Sequence, residues 1–204
     1  MIAHPLIHAD EHVIVLGYIH ARGYGRRLWI TEPDKRGLDE IDEALRLVYS
    51  TPDMVGFLRL MELRDRCKRD PDLLKCFIFH ALGRWWFLPP GFVLDFYSTP
   101  RIVWFWYPPR SGLGDEAAGT HDMLCRFARL FGISRVEADR AFRQVMQLYS
   151  LSFARKKWMS VAAYSLITPP GDGTPGRRER RAMRKRGDDW REYRDLVVAC
   201  NPIV

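Results

Sequence analysis

The stretch that most constrains the fold is the aromatic run RWWFLPPGFVLDFYSTPRIVWFWYPP, Arg84–Pro109. So many large apolar rings in 26 residues can be accommodated only in a core, and Pro-Pro-Gly divides the run into short pieces. The pieces FVLDFY and RIVWFWY predict a pair of short strands. Burial is the favoured interpretation of this run. The alternative is a sheet surface on which two of the four aromatic residues 104–107 stack nucleic-acid bases.

The rest of the chain predicts an α+β fold: mainly helical with an N-terminal β-hairpin, a short aromatic strand pair and a basic helical C-terminal part. The hairpin joins His12–Ala21 to Arg26–Thr31 through the turn Gly23–Gly25. Helical spacing of apolar residues predicts a helix over 37–50 with Leu38, Ile41, Leu45 and Val48 inward. A second helix is expected to begin at Thr51-Pro52, with Val55, Leu58 and Met61 inward, and a third over Pro71–Gly83.

Two glycine-rich stretches divide the chain. Arg110–Thr120 and Thr168–Gly176 read as connectors. They separate a mixed α/β core over 1–110, a helical region over 121–167 with a helix-turn-helix-like element, and a basic segment over 177–204.

The charge is placed unevenly along the chain. The net charge is +7, and residues 1–120 are close to neutral, so the excess lies in the last 84 residues. The decapeptide RRERRAMRKR holds seven basic residues and one acid: Arg177, Arg178, Arg180, Arg181, Arg184, Lys185 and Arg186. As a helix it would place Arg177, Arg180, Arg181 and Arg184 on one face, a row suited to phosphates. Arg155, Lys156 and Lys157 add a second basic cluster. This asymmetry favours a polyanionic partner, DNA or RNA, over a membrane surface, because no apolar stripe accompanies the basic helix.

The segment Arg126–Val145 is typical of a helix-turn-helix. Ala128 supplies the small residue, Gly132 the turn and Ser134 a helix cap. Arg135 and Arg140 on the second helix would face DNA bases, but Glu137 and Asp139 would then face phosphates, which lowers affinity. Two ordinary packed helices therefore remain the stronger alternative.

The histidines and cysteines are the candidates for catalysis or metal binding. His4, His8, Asp10 and His12 are close in sequence, but a single terminus seldom builds a metal site. His20, His80 and His121 are isolated in the sequence, although His20 beside Arg22, Arg26 and Arg27 admits a nuclease. The four cysteines, Cys67, Cys76, Cys125 and Cys200, form no CxxC pair and read as reduced, packed thiols. No nucleotide-binding loop or nucleophile elbow occurs. We therefore expect no catalytic residue, metal or cofactor.

The function predicted from these features is non-enzymatic nucleic-acid binding through the basic C-terminal surface, with or without a DNA-reading helix. The alternatives are a subunit of a larger ribonucleoprotein or nucleoprotein assembly and, third, a histidine- or metal-dependent nuclease. A hydrophobic content of 47%, the reduced cysteines and the lack of a signal peptide or an apolar membrane span predict a cytoplasmic protein.

Overall fold

The protein is α+β, with six helices and two antiparallel sheets in the part of the chain that the structure describes. The computed structural model describes residues 6–8, 13–25, 28–51, 53–94, 115–149 and 170–202. The strands are β1 (Leu6–His8), β2 (Val13–Leu16), β3 (Ala21–Gly25), β4 (Leu28–Thr31), β5 (Phe77–Ala81), β6 (Arg84–Leu88) and β7 (Val93–Leu94). The helices are α1 (Leu38–Tyr49), α2 (Met54–Arg69), α3 (Asp115–Phe127), α4 (Arg135–Tyr149), α5 (Arg177–Arg186) and α6 (Trp190–Cys200), with a 3-10 helix at Pro71–Lys75.

The larger sheet has four strands in the order β1-β2-β5-β6, and its strands β2, β5 and β6 bury side chains on both faces. Side chains of successive strand residues point to opposite faces. Val15, Phe79 and Trp86 accordingly belong to one buried cluster, together with α3 and α4 residues. Ile14, Ile78 and Phe87 belong to another, together with α1 and α2 residues. The sheet is therefore the middle layer between two helix pairs.

The predicted third helix over Pro71–Gly83 is wrong. The 3-10 helix ends at Lys75, and β5 follows as a strand whose five side chains are all buried. Leu82 and Gly83 have φ angles of 55° and 77°, and Ala81 pairs with Arg84. Positive φ at both central residues is the two-residue hairpin turn that suits the twist of antiparallel strands. Gly83 thus closes a hairpin instead of ending a helix.

The predicted N-terminal hairpin is present, but its strands are placed differently. Its two strands are β3 and β4, and the Gly23–Gly25 segment lies within β3 instead of forming the turn. The segment 13–16 that precedes them pairs with β5 in the larger sheet. In the smaller sheet, of order β3-β4-β7, β4 also pairs with β7. The predicted strand His12–Ala21 is therefore divided between two sheets.

The first helix is confirmed, and the second has a different inner face. α1 buries Ile41, Leu45 and Val48 as its apolar spacing predicts. α2 is capped by Asp53, which accepts a hydrogen bond from the Gly56 amide, so the predicted Thr51 cap is wrong. Its predicted inner residues Val55, Leu58 and Met61 are exposed, whereas the buried face consists of Gly56, Leu60, Leu63 and Cys67.

The aromatic run is core where it is described. Trp85, Trp86, Phe87 and Phe92 are each at most 2% exposed. Of the predicted strand FVLDFY only Val93–Leu94 is described, as β7, and RIVWFWY with its residues 104–107 lies outside the described residues.

The last helix is tied to the larger sheet through one buried amide. Asn201, which is fully buried, accepts a hydrogen bond from the Phe87 amide and donates to the carbonyls of Phe87 and Val197. These contacts fix the end of α6 to β6, so the C-terminal segment is part of the folded core.

Candidate functional site

The basic decapeptide forms α5, and all seven of its basic side chains are exposed. The predicted helix is thus confirmed, and Arg177, Arg180, Arg181 and Arg184 lie on its solvent side together with Arg178 and Lys185. Arg186 is also exposed while its guanidinium stacks over the Tyr24 ring, 4.5 Å from its centroid. Because the backbone that bears these cations is already helical, an anionic ligand does not have to fold this segment in order to bind.

The single acid of α5 points inward. Glu179 is buried, and its Oε1 accepts a hydrogen bond of 2.7 Å from Arg126 of α3. Its Oε2 accepts from the Gly176 amide at the start of the helix. Because this carboxylate is neutralised by Arg126 inside the protein, it does not offset the charge of the seven exposed cations.

The stretch before α5 is fixed against the end of α3. The carbonyls of Cys125 and Arg126 have no partner within their own helix, as is usual in a last turn. They accept hydrogen bonds from the amides of Gly171 and Gly173, and Arg129 donates to the Gly171 carbonyl. A Cβ on Gly171 would lie 2.2 Å from the Arg126 oxygen, so only glycine permits this approach. The predicted linker is therefore a close-packed connection where it is described.

The helix-turn-helix-like element has the local geometry that its sequence predicts. α3 ends at Phe127, and Gly132 has a φ of +66° in the turn, a conformation that strains other residues. Ser134 and Glu137 form reciprocal hydrogen bonds at the start of α4. Burial of Ala138, Ala141 and Phe142 completes the packed helix pair.

The second helix of this element presents little surface. Between Arg135 and Leu148 of α4 only Val136 and Arg140 are exposed. Arg135 is half-buried, and its Nε has no hydrogen-bond partner among the described residues. Asp139 points inward, and hydrogen bonds from Ser134 lower the pKa of Glu137. A helix that reads a major groove needs a protruding face with several free side chains. The burial of α4 therefore favours the interpretation as a packed helix pair.

A polar cluster that sequence reasoning missed lies between α3 and α4. The Nε2 atom of His121 is 2.8 Å from Oδ1 of Asp139 and 3.2 Å from Sγ of Cys125. These three atoms all lie within 4.8 Å of one another. Cys125 and Asp139 are buried and His121 is half-buried, with the Phe142 ring 4.9 Å from the imidazole. The sequence-based interpretation of His121 as isolated is therefore wrong.

One signal for this cluster was present in the sequence. His121 and Cys125 are four residues apart, a spacing that places two side chains on the same face of a helix. Asp139 could not be added from spacing alone, because its position depends on how α4 packs against α3. Cys125 was correctly predicted to be reduced and buried.

The electrostatics of the cluster keep the thiol protonated. Burial raises the pKa of Cys125 to about 12, and the carboxylates of Asp139 and Asp122 act in the same direction, while the positive charge of Arg135 opposes them. A thiol of this kind is a poor nucleophile. Both partners of the imidazole also meet the same ring nitrogen, whereas a cysteine–histidine–aspartate relay uses both nitrogens.

The other histidines lie apart from this cluster, and the other three cysteines share a different buried cluster, in which the Cys76 and Cys200 side chains are hydrogen-bonded. His20 is exposed, with Nε2 4.0 Å from an Asp34 oxygen, and His80 is buried against Trp85. Cys67 and Cys76 are buried and Cys200 is half-buried. Six of the residues singled out in the sequence lie outside the described residues: Arg155, Lys156, Lys157, His4, Asp10 and His12. His8 is the last residue of β1.

The fold and these two sites define an α+β protein with an ordered, exposed basic helix and a buried histidine–cysteine–aspartate cluster. Residues 72–163 match the family described as "Protein of unknown function (DUF1353)". This match covers less than half of the chain; it includes the polar cluster and excludes α5. No curated protein and no solved structure matches the chain. Within the described residues, no helix has both the length and the apolar character needed to cross a membrane.

Proposed function

We propose that this protein binds nucleic acid through its C-terminal basic surface, which we define as the seven cations of α5, and that it contacts phosphates more than bases. The observation that carries the proposal is the exposure of all seven cations on an ordered helix whose single acid is neutralised by Arg126. Phosphate contacts give affinity without sequence preference.

The small exposed surface of α4 supports binding to the nucleic-acid phosphate backbone rather than recognition of bases in a groove. Arg140 is exposed on that helix, but its exposed neighbour one turn away is the apolar Val136. Arg135 is half-buried. Direct readout needs several side chains that reach base edges from one helix. Arg135 and Arg140 therefore have at most an auxiliary role in this proposal, as do Arg155, Lys156 and Lys157.

The test is binding of the whole chain to labelled duplex DNA, single-stranded DNA and RNA at several salt concentrations. The expected result is non-specific binding, with a dissociation constant on the order of 1–100 μM near physiological salt and a linear fall of log K with log salt. Replacing Arg177, Arg178, Arg181 and Lys185 by Gln is expected to make that slope shallower by up to about 3.6 for duplex DNA.

A matched control changes four exposed cations elsewhere. Arg46, Lys68, Arg69 and Lys75 lie on α1, α2 and the 3-10 helix, and the same replacement by Gln removes the same total charge. This control should keep most of the wild-type salt slope. The proposal fails if none of the three ligands binds at low salt, or if both quadruple variants lose affinity equally.

A second candidate, a subunit of a larger nucleoprotein assembly, is favoured by an apolar surface on α1 and α2. The side chains of Leu47, Tyr49, Met54, Val55, Leu58 and Met61 are exposed there. Of these, Tyr49 and Met61 line a groove of about 450 Å³, together with Leu45 and Phe57. Contiguous exposed apolar side chains are typical of surfaces that contact another protein.

This candidate predicts that the isolated chain self-associates. Light scattering after size exclusion should give an average mass above 23.9 kDa that rises with concentration. Replacing Met54 and Leu58 by Gln should restore the monomer, whereas Val136→Gln on α4 should not. A wild-type chain that stays monomeric at all concentrations would contradict it.

A further inference from the structure

His121, Cys125 and Asp139 bring three potential metal-ligand atoms within 4.8 Å of one another. Nε2 of a neutral imidazole has either one hydrogen or one lone pair, directed in the plane of the ring. If it donates to Asp139 at 2.8 Å, it cannot accept from the Cys125 thiol at 3.2 Å. If it accepts from the thiol, its lone pair faces the carboxylate oxygen. A neutral imidazole therefore meets both contacts only by sharing one N–H between the Asp139 oxygen and the Cys125 sulfur.

A cation between the three atoms would satisfy all of them at once. Ligand bonds to zinc are about 2.0–2.1 Å for a histidine nitrogen, 2.0–2.2 Å for a carboxylate oxygen and 2.3 Å for a thiolate sulfur. Tetrahedral angles then separate neighbouring ligand atoms by roughly 3.3–3.6 Å. The observed separations of 2.8 and 3.2 Å lie within about 1 Å of those values, and the Asp139 oxygen lies within 4.8 Å of the Cys125 sulfur.

The cluster has charged neighbours of both signs and lies between packed helices. Asp122 lies close enough to act on the Cys125 thiol together with Asp139, and Arg135 is the cation that acts against them. The Phe142 ring packs against the imidazole and restricts its rotation. α3 and α4 are in extensive contact, so the ligands come from two rigid helices.

We propose that His121, Cys125 and Asp139 bind a divalent transition-metal ion between α3 and α4. The nitrogen, sulfur and oxygen donor set fits zinc best, because a cysteine ligand disfavours calcium and magnesium. Binding replaces the thiol proton of Cys125, which is released to solvent as the sulfur becomes a ligand. This proposal does not depend on nucleic-acid binding, since the three ligands and the cations of α5 are different residues.

The probe is cobalt(II), which reports on a cysteine ligand through a sulfur-to-cobalt charge-transfer absorption. The whole chain is first freed of metal by a chelator and then titrated with cobalt and afterwards with zinc. The expected result is one cobalt per chain with the charge-transfer band, and loss of that band when one equivalent of zinc is added. Zinc should also raise the melting temperature by roughly 8–16 °C at a free concentration about 1,000 times its dissociation constant.

Three variants assign the ligands. Cys125→Ser should abolish the charge-transfer band and weaken binding by roughly 100-fold or more. Asp139→Asn should keep the band and weaken binding by roughly 10- to 100-fold. Cys200→Ser, a half-buried cysteine outside this cluster, is the matched control and should behave as the wild type.

Two results would overturn the proposal. The first is the absence of a saturable one-to-one cobalt complex in the wild-type chain. The second is a charge-transfer band that survives Cys125→Ser. If Cys125→Ser fails to fold by circular dichroism, Asp139→Asn decides: weaker binding with the band retained supports the site, and unchanged affinity rejects it.

Discussion

At the scale of single residues, Glu116 of α3 shows how burial acts on a charge. Its Oε1 accepts a hydrogen bond of 3.2 Å from the Ile19 amide, and the side chain is buried. Desolvation raises the pKa of this carboxyl above its usual 4.5, although backbone hydrogen bonds act in the opposite direction. The folded protein thus binds the proton more tightly than the unfolded chain does.

We expect Glu116→Gln to raise the melting temperature at pH 7. A carboxyl whose pKa is raised by folding favours the folded state fully below its unfolded pKa, and that advantage is lost as pH rises through the folded pKa. Glutamine keeps an oxygen acceptor for Ile19 and carries no charge, so a rise of about 2–4 °C is expected at pH 7. Thermal unfolding at several pH values measures this change.

The control for this prediction is Glu62→Gln on the exposed side of α2. It should change the melting temperature little at pH 7. The difference between Glu116→Gln and the wild type should vanish below pH 4.5, where both chains carry a neutral side chain. A lower melting temperature for Glu116→Gln at pH 7 would show that the carboxylate stabilises the fold.

At the scale of helices and strands, a buried ion pair joins α5 to α3. The side chains of Arg126 and Glu179 are 13% and 8% exposed. Arg126 also donates to the Val93 carbonyl and stacks over the Phe92 ring. Removing one member of such a pair leaves the other charge buried without its partner, which costs more than the pair itself contributes.

We expect Glu179→Ala to destabilise the protein by about 3 kcal/mol. The substitution leaves Arg126 without its carboxylate and removes the acceptor of the Gly176 amide at the start of α5. Urea unfolding measures the loss of stability, and native-state hydrogen exchange should show faster exchange of α5 amides than of α1 amides. Arg177→Ala, on the exposed side of α5, is the control. Equal protection of α5 in both variants would show that the ion pair does not hold the helix.

Helices, strands and turns could be predicted from the sequence where local residues determine them. The turn between α3 and α4 was predictable because Gly132 and Ser134 act locally, on the backbone next to them. β5 was not predictable, because four of its five residues are apolar, without strict alternation, and all five are buried, a pattern that a buried helix shares.

The buried face of a helix and the clustering of residues from different helices were harder to predict than the helices themselves. α2 has two sets of apolar residues at helical spacing, and only packing decides which set is buried. The exposed set is Val55, Leu58 and Met61, and the buried set is Leu60, Leu63 and Cys67. The polar cluster needs Asp139 beside His121, which are 18 residues apart and meet only through the packing of α4 on α3. The exposure of the α5 cations was predictable from their number, whereas the inward position of Glu179 was not.

At the scale of the whole molecule, the larger sheet couples two cores. Neighbouring residues of one strand belong to different cores: Ile78 faces α1 and α2, and Phe79 faces α3 and α4. The same holds for Trp86 and Phe87 of β6. Neither core can lose its packing without exposing one face of the same three strands, β2, β5 and β6. We therefore expect the two cores to unfold together.

Matched substitutions in the two cores test this coupling. Leu63→Ala in α2 and Leu124→Ala in α3 remove fully buried leucines on opposite sides of the sheet. Each should lower the free energy of unfolding by about 2–5 kcal/mol. Urea unfolding is followed by far-ultraviolet circular dichroism and by tryptophan fluorescence, which reports on both cores because Trp85 and Trp86 belong to different ones. In both variants the two signals should give one coincident transition. Two separated transitions, with only the nearer one shifted by each substitution, would mean that the cores unfold independently.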